Sequence, residues 1–245
     1  MTYCVGMTLN SGLVFMSDTR TNAGVDNISV FKKMFTWQRK GERAITIMTA
    51  GNLATTQAVV SLLDERTKAP SERTATILDA PSMFQVATMV GETLRDVIKT
   101  HAGTGQKADA AFNASVIVGG QIAGSDPRLF LVYPEGNFVE AGEDTPFFQI
   151  GETKYGKPIL VRAYDPAMTF EDALKLLMVS FDSTIKANLS VGQPLDFQVY
   201  EKDAFELGQW GRIERGDAYF NKISDQWGEE LRSAFAALPD FEFDD

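Results

Sequence analysis

Thr2 is the first residue of the chain able to act as a nucleophile, and whether it does depends on Met1. A small side chain at position 2 generally lets an aminopeptidase remove the leading methionine, which would leave Thr2 with a free α-amine of reference pKa near ~7.7. A substantial fraction of such an amine is unprotonated at neutral pH, so hydroxyl nucleophile and general base would share one residue. Met-Thr starts are frequent, and the pair by itself fits equally a trimmed end with no role. Further along stand Asp18 and Arg20 in the run SDTR, Lys33 after Lys32, and Thr49-Ala50-Gly51. Read alone, Asp18 would cap a turn and Lys33 would be a solvated strand residue. The single cysteine, Cys4, lies inside an alternating strand pattern and the single histidine, His101, at the end of a helical one, with no local motif to make them a thiol dyad. One cysteine and one histidine leave no internal disulfide or structural zinc site, so no metal and no cofactor are expected. The cluster GGQIAG at residues 119–124 reads as a hairpin turn and lacks the Lys-Ser/Thr and helix start of a phosphate loop.

These groups must be positioned by the elements around them. Residues 2–9 alternate in a half-buried strand pattern, Asn10-Ser11-Gly12 signals a turn, and residues 13–17 form a second apolar run. Residues 30–37 and 44–50 read as two more strands about a turn at Gly41. Helical periodicity takes over at 53–65, with Ala54, Ala58, Val59, Leu62 and Leu63 on one face. After a loop at 67–81, residues 82–101 form a second helix with Ser82 as N-cap and Phe84, Ala87, Val90, Leu94 and Val97 inward. Strand-like runs follow at 114–119, 128–133, 138–141 and 147–150, then a helix at 170–189, strands at 197–200 and 209–213, and a last helix at 217–238. An acidic tail, residues 240–245, closes the chain.

Two groups of antiparallel strands, each followed by helices, predict an α+β fold. Its form is a four-layer αββα sandwich, two stacked sheets under helix layers, because neither sheet can leave an apolar face in water. No Gly/Ser/Pro-rich linker or repeat divides residues 1–245, which predicts one domain. The 245 residues are 44% hydrophobic and 23% charged, which excludes a disordered chain, a coiled coil and a disulfide scaffold. No apolar run approaches the ~20 residues that cross a bilayer, and no basic start leads into an apolar stretch, so a cytoplasmic protein without membrane contact is expected. The net charge of −10 is spread without a basic stripe, which weighs against a nucleic-acid partner.

A threonine opening the first strand, Asp-x-Arg closing the second, a lysine in the third and Ala-Gly before a helix follow one another in a familiar order. In these landmarks the sequence resembles the β-type subunits of the proteasome superfamily, which are N-terminal-nucleophile (Ntn) hydrolases. FNASVIVGG, LFLVYPEGNF and IGETKYG extend the resemblance over most of the chain, and YCVGM, DNIS and KYGKPIL look most like the bacterial ancestral β-subunit group, Anbu. The resemblance implies a threonine-type peptidase in which Thr2 Oγ1 attacks a carbonyl carbon. Lys33 would favour the alkoxide-like state and keep the amine neutral, Asp18 would be its ion-pair partner, Gly51 would donate to the oxyanion, and Ser190 would be a further site residue. Strand alternation sends Lys32 and Lys33 to opposite faces, so only one reaches Thr2, and the order Lys33-Met34 fits the family, although the spacing from Thr2 is one residue short. Thr21, Thr49 and Leu53 would line an uncharged pocket for a neutral or apolar side chain before the cleaved bond.

Two positions depart from the family. Gly151-Glu152-Thr153 stands where Gly-Ser-Gly is common, and NLSVG keeps Ser190 with Asn188 nearby but no aspartate at the expected spacing. A Glu152 carboxylate facing the amine would raise the amine's pKa and slow reaction at neutral pH. The implied partners are a peptide or unfolded-protein substrate and further copies of the chain in a ring or open ring, with Val60, Phe84 and Met89 as contact candidates. The sequence identifies no ATPase partner. An assembly-forming homologue with weak or vestigial hydrolysis, or an amidase of small substrates, fits the same residues.

Overall fold

The hairpin that opens the chain pairs β1 (Tyr3–Leu9) with β2 (Gly12–Asp18) and becomes the centre of a five-stranded sheet. The computed structural model describes residues 2–22, 28–68, 75–102 and 112–243, so Met1 and the last two residues of the acidic tail lie outside the described residues. On one side β1 pairs with β10 (Phe147–Gly151), and on the other β2 pairs with β11 (Leu195–Glu201), which carries the edge strand β12 (Trp210–Ile213). The second sheet runs β5 (Met34–Arg39), β6 (Arg43–Gly51), β7 (Ala114–Ile122), β8 (Arg128–Val132), β9 (Phe138–Glu140). All of these pairings are antiparallel, and a small hairpin of β3 (Arg20–Asn22) and β4 (Ile28–Val30) stands beside them. Helices α1 (Leu53–Lys68) and α2 (Met83–Ala102) cover the second sheet; α3 (Lys157–Ala163), α4 (Phe170–Ala187) and α5 (Ala218–Ala236) lie on the first.

Side-chain alternation sorts each strand between two layers. Tyr3, Val5, Met7, Val14 and Met16 pack against Leu177 and Phe181 of α4, whereas Cys4, Leu13 and Phe15 face Met48, Ile117 and Leu129 across the sheet interface. In the other sheet Ile45, Ile47, Val116 and Val118 meet Val86, Val90 and Leu94 of α2. The fold is therefore the expected αββα sandwich. Strands β1 and β2 are buried on both faces rather than half-buried, because each sheet has a layer on either side. A fully buried side chain of this kind is worth ~1.5–3 kcal/mol, so the two inner strands are held firmly where the chain begins.

Several expectations change. The single strand expected at 30–37 is interrupted: β4 ends at Val30 and β5 begins at Met34, which leaves Lys32 and Lys33 in the connection. Gly119–Ile122 belong to strand β7 rather than to a turn, and a Cβ at Gly119 would come within 2.6 Å of the Phe15 ring, so the glycine serves close sheet packing. Phe84 is exposed and packs edge-on against Phe138, while Ala87, Val90, Leu94 and Val97 are buried as expected. Ser82 does cap α2, its Oγ accepting from the Gln85 amide at 3.2 Å.

Gly91 in the middle of α2 carries a prediction with an unusual sign. Gly→Ala in a helix interior ordinarily stabilises by about 1 kcal/mol. Here a Cβ would stand 2.2 Å from the carbonyl oxygen of Gly136 in the β8–β9 turn. Gly91→Ala is therefore expected to destabilise by about 1–3 kcal/mol in urea denaturation, as overpacking against backbone does.

Candidate active site

Strand β6 ends at Gly51 with φ +118°, and α1 starts two residues later, its first turn capped by Asn52 Oδ1 accepting from the Thr55 amide at 3.0 Å. A Cβ on Gly51 would lie 2.4 Å from the Asn113 carbonyl, so only glycine allows this strand-to-helix corner. The corner borders a cavity of about 430 Å³ whose wall includes Thr2, Lys33 and Gly51. Thr21, Thr49 and Leu53 line the same cavity. Of the eight residues singled out from the sequence, six therefore meet at one opening. Asp18 sits one hydrogen bond behind it. Ser190 does not line it; its backbone amide donates to Asn188 Oδ1 at 3.0 Å.

The position of Lys33 is fixed by two acceptors. Its Nζ donates to Asp18 Oδ1 at 2.7 Å and to the Arg20 carbonyl at 2.6 Å, and its own carbonyl accepts from the Thr49 amide at 2.9 Å. Asp18 is fully buried, and burial pushes its carboxyl above the ordinary carboxylate range against the pull of Lys33 and of the Tyr3 and Gly192 amides. The Tyr3 amide donates to the same Asp18 oxygen at 2.9 Å, so one carboxylate holds both the start of β1 and the lysine. Both Lys32 and Lys33 line the cavity, contrary to the alternation argument, because neither lies in a strand. They differ in burial: Lys33 is 5% exposed, while Lys32 is exposed with its ammonium 5.6 Å from the Phe35 ring.

Thr2 itself, 9% exposed, is held by its carbonyl, which accepts from the Glu152 amide at 2.6 Å. Gly151 permits this approach with φ +83°; a Cβ there would be 2.0 Å from the Thr2 carbonyl oxygen. The Tyr3 hydroxyl donates to Ser180 Oγ at 2.7 Å, since Ser180 gives its own proton to the Gly156 carbonyl, and it accepts from Gln149 Nε2 at 2.7 Å. Burial pushes the Tyr3 phenol up to about 12.

The two departures noted in the sequence prove to be partners. Glu152 is buried, one carboxylate oxygen accepting from the Lys154 amide at 2.8 Å and the other from Asn188 Nδ2 at 3.1 Å. Sequence reading singled out both residues but not their pairing, which joins the end of β10 to the end of α4.

Cys4 and His101 are not brought together. Cys4 is sealed between the sheets with Sγ 3.8 Å from the Thr49 carbonyl, and His101 is exposed on the outer helix layer. Burial pushes the Cys4 thiol up, so the native chain should fail to react with a thiol-disulfide reagent at neutral pH and should react fully once denaturant exposes it. Rapid labelling of the native chain would contradict this burial. Among the described residues no three metal-ligating side chains cluster, and no helix is long and apolar enough to cross a membrane.

Residues 2–199 match the family described as proteasome subunit. The comparison with curated proteins gave no match. Among solved structures, Anbu (ancestral beta-subunit) from Yersinia bercovieri superposes with TM-score 0.91 at 47% identity over 99% of this chain and 100% of that one. A Gly-1 mutant of Anbu from Hyphomicrobium sp. strain MC1 gives 0.90 at 48% identity, covering 99% and 100%. The helical assembly of the Anbu complex from Pseudomonas aeruginosa gives 0.90 at 47% identity over 98% of each chain.

Proposed function

Because the chain belongs to the proteasome subunit family, we propose that it is a threonine-type peptidase of the Ntn-hydrolase kind, with Thr2 as nucleophile once Met1 is removed. The observation that carries this reading is that Thr2 shares one cavity with Gly51 and with a lysine pinned by a buried aspartate. Thr2 Oγ1 attacks the substrate carbonyl and its proton passes to the α-amine, directly or through water. Lys33 stabilises the developing alkoxide and disfavours a second positive charge on the amine. Charge on the tetrahedral oxygen falls to the Gly51 amide, a donor type whose loss costs on the order of 10²- to 10³-fold in rate. The C–N bond breaks as the amine returns its proton to the leaving nitrogen. Water then attacks the acyl ester, releasing a carboxylate and restoring the Thr2 hydroxyl. Asp18 acts through Lys33, and Ser190 acts through Asn188, each as a positioning residue. Thr21, Thr49 and Leu53 receive a neutral or apolar side chain.

The chain is further proposed to work in the cytoplasm in an assembly of many copies, a ring or an open, helical one; the helical assembly of the Pseudomonas aeruginosa Anbu complex supports the many-copy arrangement. Of the three contact candidates Phe84 is exposed, whereas Val60 and Met89 are half-buried against the helix–sheet core; Phe84 and the exposed Leu231, Phe235 and Leu238 are surfaces that neighbours would cover. Light scattering after size exclusion checks this, and a lone subunit would overturn it.

The test of the enzymatic reading pairs mass spectrometry of the purified chain, for loss of Met1, with turnover of a fluorogenic peptide panel by the wild type and Thr2→Ala. Equal turnover by both would overturn it. A second reading, an assembly with weak or vestigial hydrolysis, is favoured by one observation: Glu152 puts a buried carboxylate on the residue whose amide holds Thr2. Under that reading the mature wild type turns over slowly and Glu152→Gln accelerates it at neutral pH.

A further inference from the structure

A second cavity, about 460 Å³, lies beside the first where the sandwich is open between the edge strands β5 and β12. Its apolar wall is made by Met34, Phe197, Leu207 and Trp210. Trp210 is 76% exposed, an indole with no cover on the described chain. The charges in the cavity are self-neutralised: Arg212 donates to both oxygens of Asp196, at 2.7 and 3.0 Å. A charged ligand group would find no unpaired counter-charge there except Lys32. Among the described residues, Lys32 is the one that lines both cavities. The two openings therefore adjoin across one side chain, and an extended peptide, which advances ~3.3 Å per residue, passes from one to the other within a few residues.

We propose that this second cavity is a specificity subsite for the same peptide that enters the Thr2 cavity, taking an aromatic or long aliphatic side chain a few residues away from the one beside Thr2. The inference rests on the peptidase reading for its substrate class. It adds a preference for substrates with two spaced apolar residues, the second covering Trp210 on binding. Neither the Thr2 chemistry nor the first pocket requires this preference.

The experiment measures binding by the Thr2→Ala chain, which holds peptide without turning it over. End-blocked peptides carry leucine as the anchor for the Thr2 cavity and phenylalanine or alanine at successive positions on either side. A short blocked leucine serves as the reference. The expected result is a blue shift of Trp210 emission, absent in Trp210→Phe, and about tenfold or more tighter binding of one phenylalanine peptide than of its alanine counterpart. Trp210→Ala and Leu207→Ala should abolish that ratio and leave the affinity for the short peptide unchanged. Equal affinity for phenylalanine and alanine at every position overturns the proposal, as does a preference that survives both variants. A Trp210 shift that follows protein concentration and ignores peptide also overturns it, and gives the surface to a neighbouring copy. If the preference is found while wild-type turnover is nil, the subsite stands and the peptidase reading falls; turnover without the preference gives the reverse.

Discussion

Lys33→Ala is expected to destabilise the fold by about 3–5 kcal/mol at neutral pH, the range for removing one partner of a buried pair. Asp18 is fully buried and accepts from Lys33 Nζ at 2.7 Å, so deletion leaves a carboxylate with only backbone amides to face. The sign of the pH dependence follows. Burial already raises the Asp18 carboxyl, and losing the cation that opposes this raises it further, so the folded variant holds its proton to higher pH than the unfolded chain does. Stability therefore falls as pH rises from the ordinary carboxylate range through the raised value. Urea denaturation of Lys33→Ala should show a small deficit in acid and the full deficit near neutrality. The double variant Asp18→Asn/Lys33→Met should regain most of the stability and none of the peptidase activity. A deficit independent of pH, or under about 1 kcal/mol, would show that the pair is not a buried one.

Thr2→Ala should lower peptide hydrolysis by at least about 10³-fold, because it removes the nucleophile and leaves only binding and oxyanion stabilisation. Stability should change by no more than about 1 kcal/mol, since what holds Thr2 is its carbonyl, bonded to the Glu152 amide, and the variant keeps that bond. Loss of rate with retained fold separates chemistry from structure, and Thr2→Ser, which keeps hydroxyl and amine, should stay well above Thr2→Ala. The active forms should gain rate as pH rises through the α-amine's range, near ~7.7 unperturbed, because the base must be neutral. Glu152→Gln should move that rise to lower pH by removing a negative charge that favours the ammonium. An unchanged profile would place the carboxylate's influence elsewhere.

What could be read beforehand follows the chain's geometry. Thr2, Asp18, Lys33 and Gly51 occur within the first three hairpins, next to or at strand ends, so a family resemblance laid over strand periodicity sufficed to single them out. The fold class was legible because most strands pair in local hairpins; the long-range pairings are β6 with β7, across α1 and α2, and β10 and β11, which return to β1 and β2 from far along the sequence. Short elements escaped. Helix α3 has seven residues, and its Pro158-Ile159-Leu160-Val161 run carries no helical period. The β3–β4 hairpin is three residues deep, and missing it misplaced Lys33 in a strand. The bond between Glu152 and Asn188 crosses two helices, and the second cavity draws its wall from β5, β11 and β12. No spacing rule connects residues so far apart in the sequence.

The two backbone grips at the start of β1, the Glu152 amide on the Thr2 carbonyl and Asp18 on the Tyr3 amide, both lie on the downstream side of the position to be unmasked. Both grips bind atoms beyond the Thr2 nitrogen, so under the proposed reading removal of Met1 would leave the register of β1 unchanged. Under that reading the chain would fold while still inert, and clipping would act as a timer on chemistry alone.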